Sequence, residues 1–100
     1  MVFEIKSTEK FQHVFDKLET NERNWIYKVV EQLKQNPFQG KPGYKWFREK
    51  KLEGNRLYYL IYSNQHIVLL AAYDNKKEQS EIIAYVLAHL AELKKLVKEN

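Results

Sequence analysis

The chain has 100 residues, 44% hydrophobic and 14% aromatic, with three glycines, two prolines and no cysteine. That suffices for one core in a single domain spanning 1–100, leaves little room for linkers or disorder, and excludes disulfides and thiolate metal sites. The formal net charge of +4 is localised: Lys41 to Arg56 holds six basic residues against Glu49 and Glu53, and the rest of the chain balances. An excess confined to one window points to an anionic partner at one place. The opening MVFEIKSTEK lacks a signal-type apolar run, and no stretch approaches the roughly 18 apolar residues of a membrane span, so a soluble, cytoplasmic protein away from membranes is expected.

VFEIK, Val2 to Lys6, alternates apolar and polar and predicts a short strand. Ser7 or Thr8 can cap a helix of about three turns whose Phe11, Val14, Phe15 and Leu18 share one face. LETNERN ends it, and Thr20 or Asn21 can open a second helix carrying Ile26, Val29, Val30 and Leu33, stopped by Asn36 and Pro37. NPFQGKPG, Asn36 to Gly43, is the one clear loop.

After that loop the pattern changes. Trp46–Leu52, Arg56–Ser63 and His66–Tyr73 are rich in aromatic and branched residues and are separated by short turns, which predicts a three-stranded meander. LYYLIY and IVLLAAY are apolar on both strand faces, so the sheet must be covered on both sides. The closing segment, Ser80 to Lys98, supplies the second cover with Ile82, Ile83, Val86, Leu90, Leu93 and Val97 at helical spacing. The predicted order is β-α-α-β-β-β-α, an α+β fold in which an antiparallel sheet carries an N-terminal helical hairpin on one face and a C-terminal helix.

KLEGNRLYYLIY, then a short turn, HIVLLAAYDNKKEQSEI and a closing helix, together with the element order, resembles the RelE/ParE superfamily of toxins from type II toxin–antitoxin pairs. The RelE-like branch, which the resemblance favours, implies an endoribonuclease that cuts messenger RNA at the ribosome with no metal or other cofactor. It also implies a cognate antitoxin as partner in a hetero-oligomer. The ParE-like branch implies inhibition of DNA gyrase instead, and a silent member would bind antitoxin or RNA without cutting. On this resemblance Arg56 matches the phosphate-binding Arg after the turn, and Lys77 the second basic position, with Lys76 its neighbour. Arg48 and Lys50 share a strand face and join Arg56 and Lys77 as the implied catalytic set. Lys51 points the other way, and with Lys45, Lys76 and Trp46 it is assigned to RNA binding. Where some nucleases of the family place a tyrosine, this chain has Ile83, and Tyr85 is the nearest candidate acid or base.

Cleavage through a ribose 2′-OH needs a base, cations for the charge growing on the phosphoryl oxygens, and an acid for the departing 5′-oxygen. A lysine crowded by other cations loses its proton more readily, which suits Lys50 to the base or to electrostatic stabilisation, whereas Arg48, Arg56 and Lys77 would clamp phosphate. Each has a plainer reading beside it. Arg48, Lys50 and Lys51 can be charges that protect an edge strand. Arg56 can pair with Glu49 or Glu53, and Lys76 and Lys77 can be a solvated turn. Tyr44 and Trp46, beside the loop, are the aromatics best placed to stack on bases, and Tyr58, Tyr59 and Tyr62 read as core. His13, His66 and His89 have no metal-ligand spacing, and GKPG lacks the helix and Ser/Thr that a phosphate loop needs.

Overall fold

The computed structural model describes residues 2–98, with residues 41–43 by their backbone alone. Strand β1 (Glu4–Ser7) leads into helices α1 (Glu9–Phe15) and α2 (Thr20–Gln35), followed by β2 (Lys41–Tyr44), β3 (Phe47–Leu52), β4 (Asn55–Tyr62), β5 (Ile67–Asn75), α3 (Gln79–Ala88) and α4 (Leu90–Lys98). The α+β architecture follows the predicted order, with three differences. KPGY, expected as loop, adds a fifth strand at the sheet edge. The sheet is mixed, because β1 runs parallel to β5 while the other pairs are antiparallel, in the order β1-β5-β4-β3-β2. The closing helix is two helices broken at His89.

Thr8 starts the helical hairpin, its hydroxyl accepting from the Phe11 N–H at 3.0 Å and donating to the Ala71 carbonyl at 3.1 Å, which ties the cap to β5. Helix α1 stops two turns later at Phe15, and Leu18 packs from the turn that follows. The buried stripe of α2 is Ile26, Val29 and Leu33. Helix α2 also holds the far end of the sheet, where Glu22 accepts from Tyr73 at 2.7 Å and from Asn55 at 3.2 Å.

The period-two alternation of the strands sorts the core into two layers. Leu57, Tyr59, Ile61, Val68 and Leu70 face α1 and α2, whereas Tyr58, Leu60, Ile67 and Leu69 face Ile82, Val86, Leu93 and Val97 of the closing helices. A bulge between Tyr58 and Tyr59 skips Ala71 in the pairing and shifts the phase of β5, so Ala71 and Ala72 both join the second layer. These small residues leave room for the closing helices. A two-residue turn, Glu53–Gly54, joins β3 to β4, with Leu52 opposite Asn55, and Glu53 holds φ at 52° in the left-handed region. His66, expected to open a strand, instead sits in the β4–β5 turn at φ 58°. No helix among the described residues is long and apolar enough to cross a membrane.

Candidate functional site

Register decides which cations of the basic window can act together. Pairing across β3 and β4 places Lys51 opposite Arg56, Glu49 opposite Tyr58 and Phe47 opposite Leu60, so Glu49, Lys51 and Arg56 share the face covered by α3. Arg48 and Lys50 pair with Tyr59 and Leu57 and lie on the other face, toward the helical hairpin. The implied set of Arg48, Lys50, Arg56 and Lys77 is therefore divided by the sheet.

Arg48 and Lys50 are engaged with the segment before β2. The Arg48 guanidinium donates to the Phe38 and Gly40 carbonyls, each at 2.9 Å, and to the Lys45 carbonyl at 3.1 Å. It also lies 5.3 Å from the centre of the Phe38 ring. Lys50 donates to the Gln39 side chain at 3.1 Å. These contacts fold residues 37–40 against β3 and give Arg48 a structural task.

Arg56 is buried, at 6% exposure. Its Nε is 3.1 Å from Glu49 Oε2, and Nη1 donates to the Glu53 and Asn55 carbonyls at 3.2 and 3.1 Å. Gln79, the first residue of α3, donates to Glu49 Oε1 at 2.8 Å. Glu49 Oε2 receives no well-aligned N–H, and the buried hydroxyl of Tyr58 has no partner. Burial pushes the Tyr58 phenol from 10.0 to about 12, Glu49 adding to the shift and Arg56 opposing it. The arrangement is a buried carboxylate–guanidinium pair with a neutral phenol beside it. It can hold or pass a proton once an anion or substrate hydroxyl reaches it, and at rest Glu49 Oε2 and the Tyr58 hydroxyl are left without a hydrogen bond. The ion pair with Glu49, weighed from sequence as the alternative role of Arg56, is what the structure has.

The exposed lysines gather at the end of this hairpin. Lys51 faces outward beside Arg56, and Lys76 and Lys77 form a 3₁₀ turn after β5. The Lys76 N–H donates to the Gly54 carbonyl at 2.9 Å, so the lysine pair flanks the β3–β4 turn. Carboxylates stand close by. Glu78 is raised above its usual range by a hydrogen bond to Glu81, by the Glu81 charge and in smaller part by Asp74. A phosphate arriving here meets three lysines and a carboxylate cluster together.

Tyr85 lies elsewhere. Its ring stacks on His89 with centroids 4.2 Å apart and receives Lys10 Nζ at 4.2 Å from its centre. It is six residues beyond Gln79, about 9 Å along the helix. Ile83 is the residue that reaches the Glu49 side, where with Tyr44, Phe47 and Tyr58 it borders a cavity of about 30 Å³. Trp46 is half-buried and stacked between Tyr44 and Phe47, and Lys45 beside it is exposed. This group is separated from Lys51 by about 13 Å of strand. Glu49, Tyr58 and Gln79 were not singled out from sequence as site residues. The two-residue turn was the available signal, since it puts Glu49 on the face of Arg56. Among the described residues, no group of three or more His, Asp or Glu comes together as a metal site.

No family model and no curated protein matches the chain. Solved structures do match. A mutant of the E. coli toxin RelE in the free state superposes with TM-score 0.74 at 19% identity, over 89% of this chain and 98% of that one. The chain has the RelE toxin fold. A Mycobacterium tuberculosis toxin–antitoxin complex gives TM-score 0.66 at 17% identity, over 76% of this chain and all of that one. An archaeal RelE–RelB complex from Pyrococcus horikoshii gives 0.65 at 10% identity, over 76% and 97%. At such identities the likeness to RelE is one of fold, and the chemistry rests on the residues described above.

Proposed function

We propose that this RelE-fold chain is the toxin half of a toxin–antitoxin pair, and that it cleaves messenger RNA at the ribosome by driving a ribose 2′-OH onto the adjacent phosphate. The observation that carries the proposal is the convergence of exposed Lys51, Lys76 and Lys77 on the β3–β4 turn, beside the Arg56–Glu49 pair, in a fold shared with RelE toxins. In this reading the three lysines hold and neutralise the phosphate. Glu49, released from Arg56 as the phosphate arrives, takes the 2′-OH proton, and Arg56 turns to the phosphoryl oxygens. As the 2′-oxygen bonds to phosphorus the P–O5′ bond breaks, leaving a 2′,3′-cyclic phosphate, and one of the lysine ammonium groups gives the departing 5′-oxygen its proton. Arg48 and Lys50 act by holding residues 37–40, and the antitoxin supplies acidic contacts to the exposed lysines. Induced expression with transcript mapping tests it. Growth arrest with cut transcripts is expected, while arrest with blocked supercoiling would favour gyrase as target.

A second reading has support of its own. Arg56 is engaged through Nε and Nη1 at rest, and α3 brings Ile83 rather than a phenol to the Glu49 side. Both favour a form that binds antitoxin or RNA without cutting, in which induced expression leaves growth and transcripts unchanged.

A further inference from the structure

Away from Arg56, the residues Tyr44, Trp46 and Phe47 leading into β3 form a stepped aromatic stack. The Tyr44 and Trp46 rings are 5.2 Å apart and 9° from parallel, and Trp46 and Phe47 follow at 6.0 Å and 17°. Phe47 is buried whereas Tyr44 is 46% exposed, so the stack climbs from the core into solvent. Beside it Trp46, Tyr62, Leu90 and Lys94, closed by the turn Ser63–Gln65, line a depression of about 360 Å³.

Three properties of this groove select one kind of ligand. Its volume falls in the range of small-molecule sites, above about 300 Å³. Two of its lining residues are aromatic: Trp46, stacked between Tyr44 and Phe47, turns an edge to the groove, and Tyr62 offers a ring against which a flat π-system of any base identity gains from lying. Its one charged lining residue is a cation, with no carboxylate in the lining. Lys94 belongs to neither of the two ion pairs found among the described residues. Core packing accounts for the buried side of Trp46 and leaves the paired orientation of an exposed Tyr44 unexplained, and the exposed Lys94 is free to meet an anion.

We infer that this groove binds one nucleotide of single-stranded RNA, its base stacked on Tyr62 and bounded by the edge of Trp46, its phosphate on Lys94, and its base edge met by the polar turn Ser63–Gln65. The inference deepens the RNA reading above by giving the strand a second hold far from the Lys77 end. The groove and Arg56 lie at opposite ends of β4, about 20 Å apart, so a bound strand spans several nucleotides.

The test is free of ribosomes, so its outcome is separable from that of transcript cleavage. Pentauridylate and pentaadenylate are titrated into the full chain at low salt, followed by the indole N–H of Trp46 and the amides of Ser63–Gln65. Both sets of signals are expected to move. Lys94→Glu, an exposed change, should weaken binding about threefold to tenfold with an unaltered melting temperature, and Tyr62→Leu should weaken it by about tenfold. The inference is overturned if RNA moves only signals near Lys51, Lys76 and Lys77, or if inorganic polyphosphate moves the groove signals as strongly as RNA. It is equally overturned if RNA leaves the groove untouched while an apolar peptide fills it. Cut transcripts with a silent groove would reject this inference alone, and a binding groove without cleavage would reject only the nuclease reading.

Discussion

Arg56 and Glu49 form a buried ion pair across β3 and β4, 3.1 Å apart, with side chains only 8% and 12% exposed. Removing one partner leaves a charge without its counterion in a low-dielectric site, which costs far more than the pair itself contributes. Glu49→Ala should therefore destabilise the fold by about 3 kcal/mol, and Arg56→Ala by a comparable amount. The double variant should cost clearly less than the two added together. Urea unfolding of the four proteins measures this; additive effects would mean that the pair is not coupled.

Arg48 holds the Phe38 and Gly40 carbonyls, each at 2.9 Å. Lysine cannot reproduce that fork, so Arg48→Lys should lose about 1–2 kcal/mol and raise hydrogen exchange in residues 37–40. A structural role predicts that RNA cleavage falls only as far as the folded fraction does. A loss of cleavage in fully folded Arg48→Lys protein would return Arg48 to the chemistry.

Gly40 sits under the same clamp. A Cβ there would press on the Tyr59 hydroxyl and on the Glu49 carbonyl, and Tyr59 is fixed because it donates to the Pro37 carbonyl at 2.7 Å. Gly40→Ala should cost about 2 kcal/mol through overpacking. Tyr59→Phe, which removes the nearest clashing atom, should make the same glycine substitution less costly. Thermal melts of the single and double variants check both statements.

Burial pushes the phenols of Tyr58 and Tyr59 from 10.0 to about 12. Both folded pKa values are raised, so the stability these groups supply is complete below pH 10 and is lost between pH 10 and 12, where the unfolded chain ionises first. Urea midpoints should fall steeply across that window. Tyr58→Phe removes a buried hydroxyl that has no partner; at neutral pH it should be neutral or stabilising by up to about 1 kcal/mol. It should also flatten the alkaline decline. A clear destabilisation at neutral pH would show that the hydroxyl has a partner after all.

The strands were legible where the chain itself carries the pattern. LYYLIY and IVLLAAY required cover on both faces, and two layers of core meet there. Strand β2 was not legible, since Pro42 and Gly43 read as a turn and the strand exists only because its backbone pairs with Arg48 and Glu49 at the sheet edge. The break at His89 leaves no mark, because VLAHLAEL is continuous helical sequence. That β1 pairs parallel with β5 is a matter of long-range closure, which no local stretch records. At the site, the charge excess of the window was visible and its use was not. Arg48, Lys50 and Arg56 are taken up by carbonyls, an amide and Glu49, and the outward cations include Lys45, Lys51, Lys76 and Lys77. Counting residues back from the two-residue turn separates Lys51 from Arg48 and Lys50, so that part of the site was within reach of the sequence.

The most direct test of the central claim is cleavage of a defined transcript by purified protein with and without ribosomes, comparing the wild type with Lys51→Glu/Lys77→Glu, whose changes are both at exposed positions. Cuts that require ribosomes are expected, falling by about a hundredfold in the double variant, two lost phosphate contacts at roughly tenfold each. Intact transcripts with wild-type protein, or equal cleavage by a folded double variant, would contradict it.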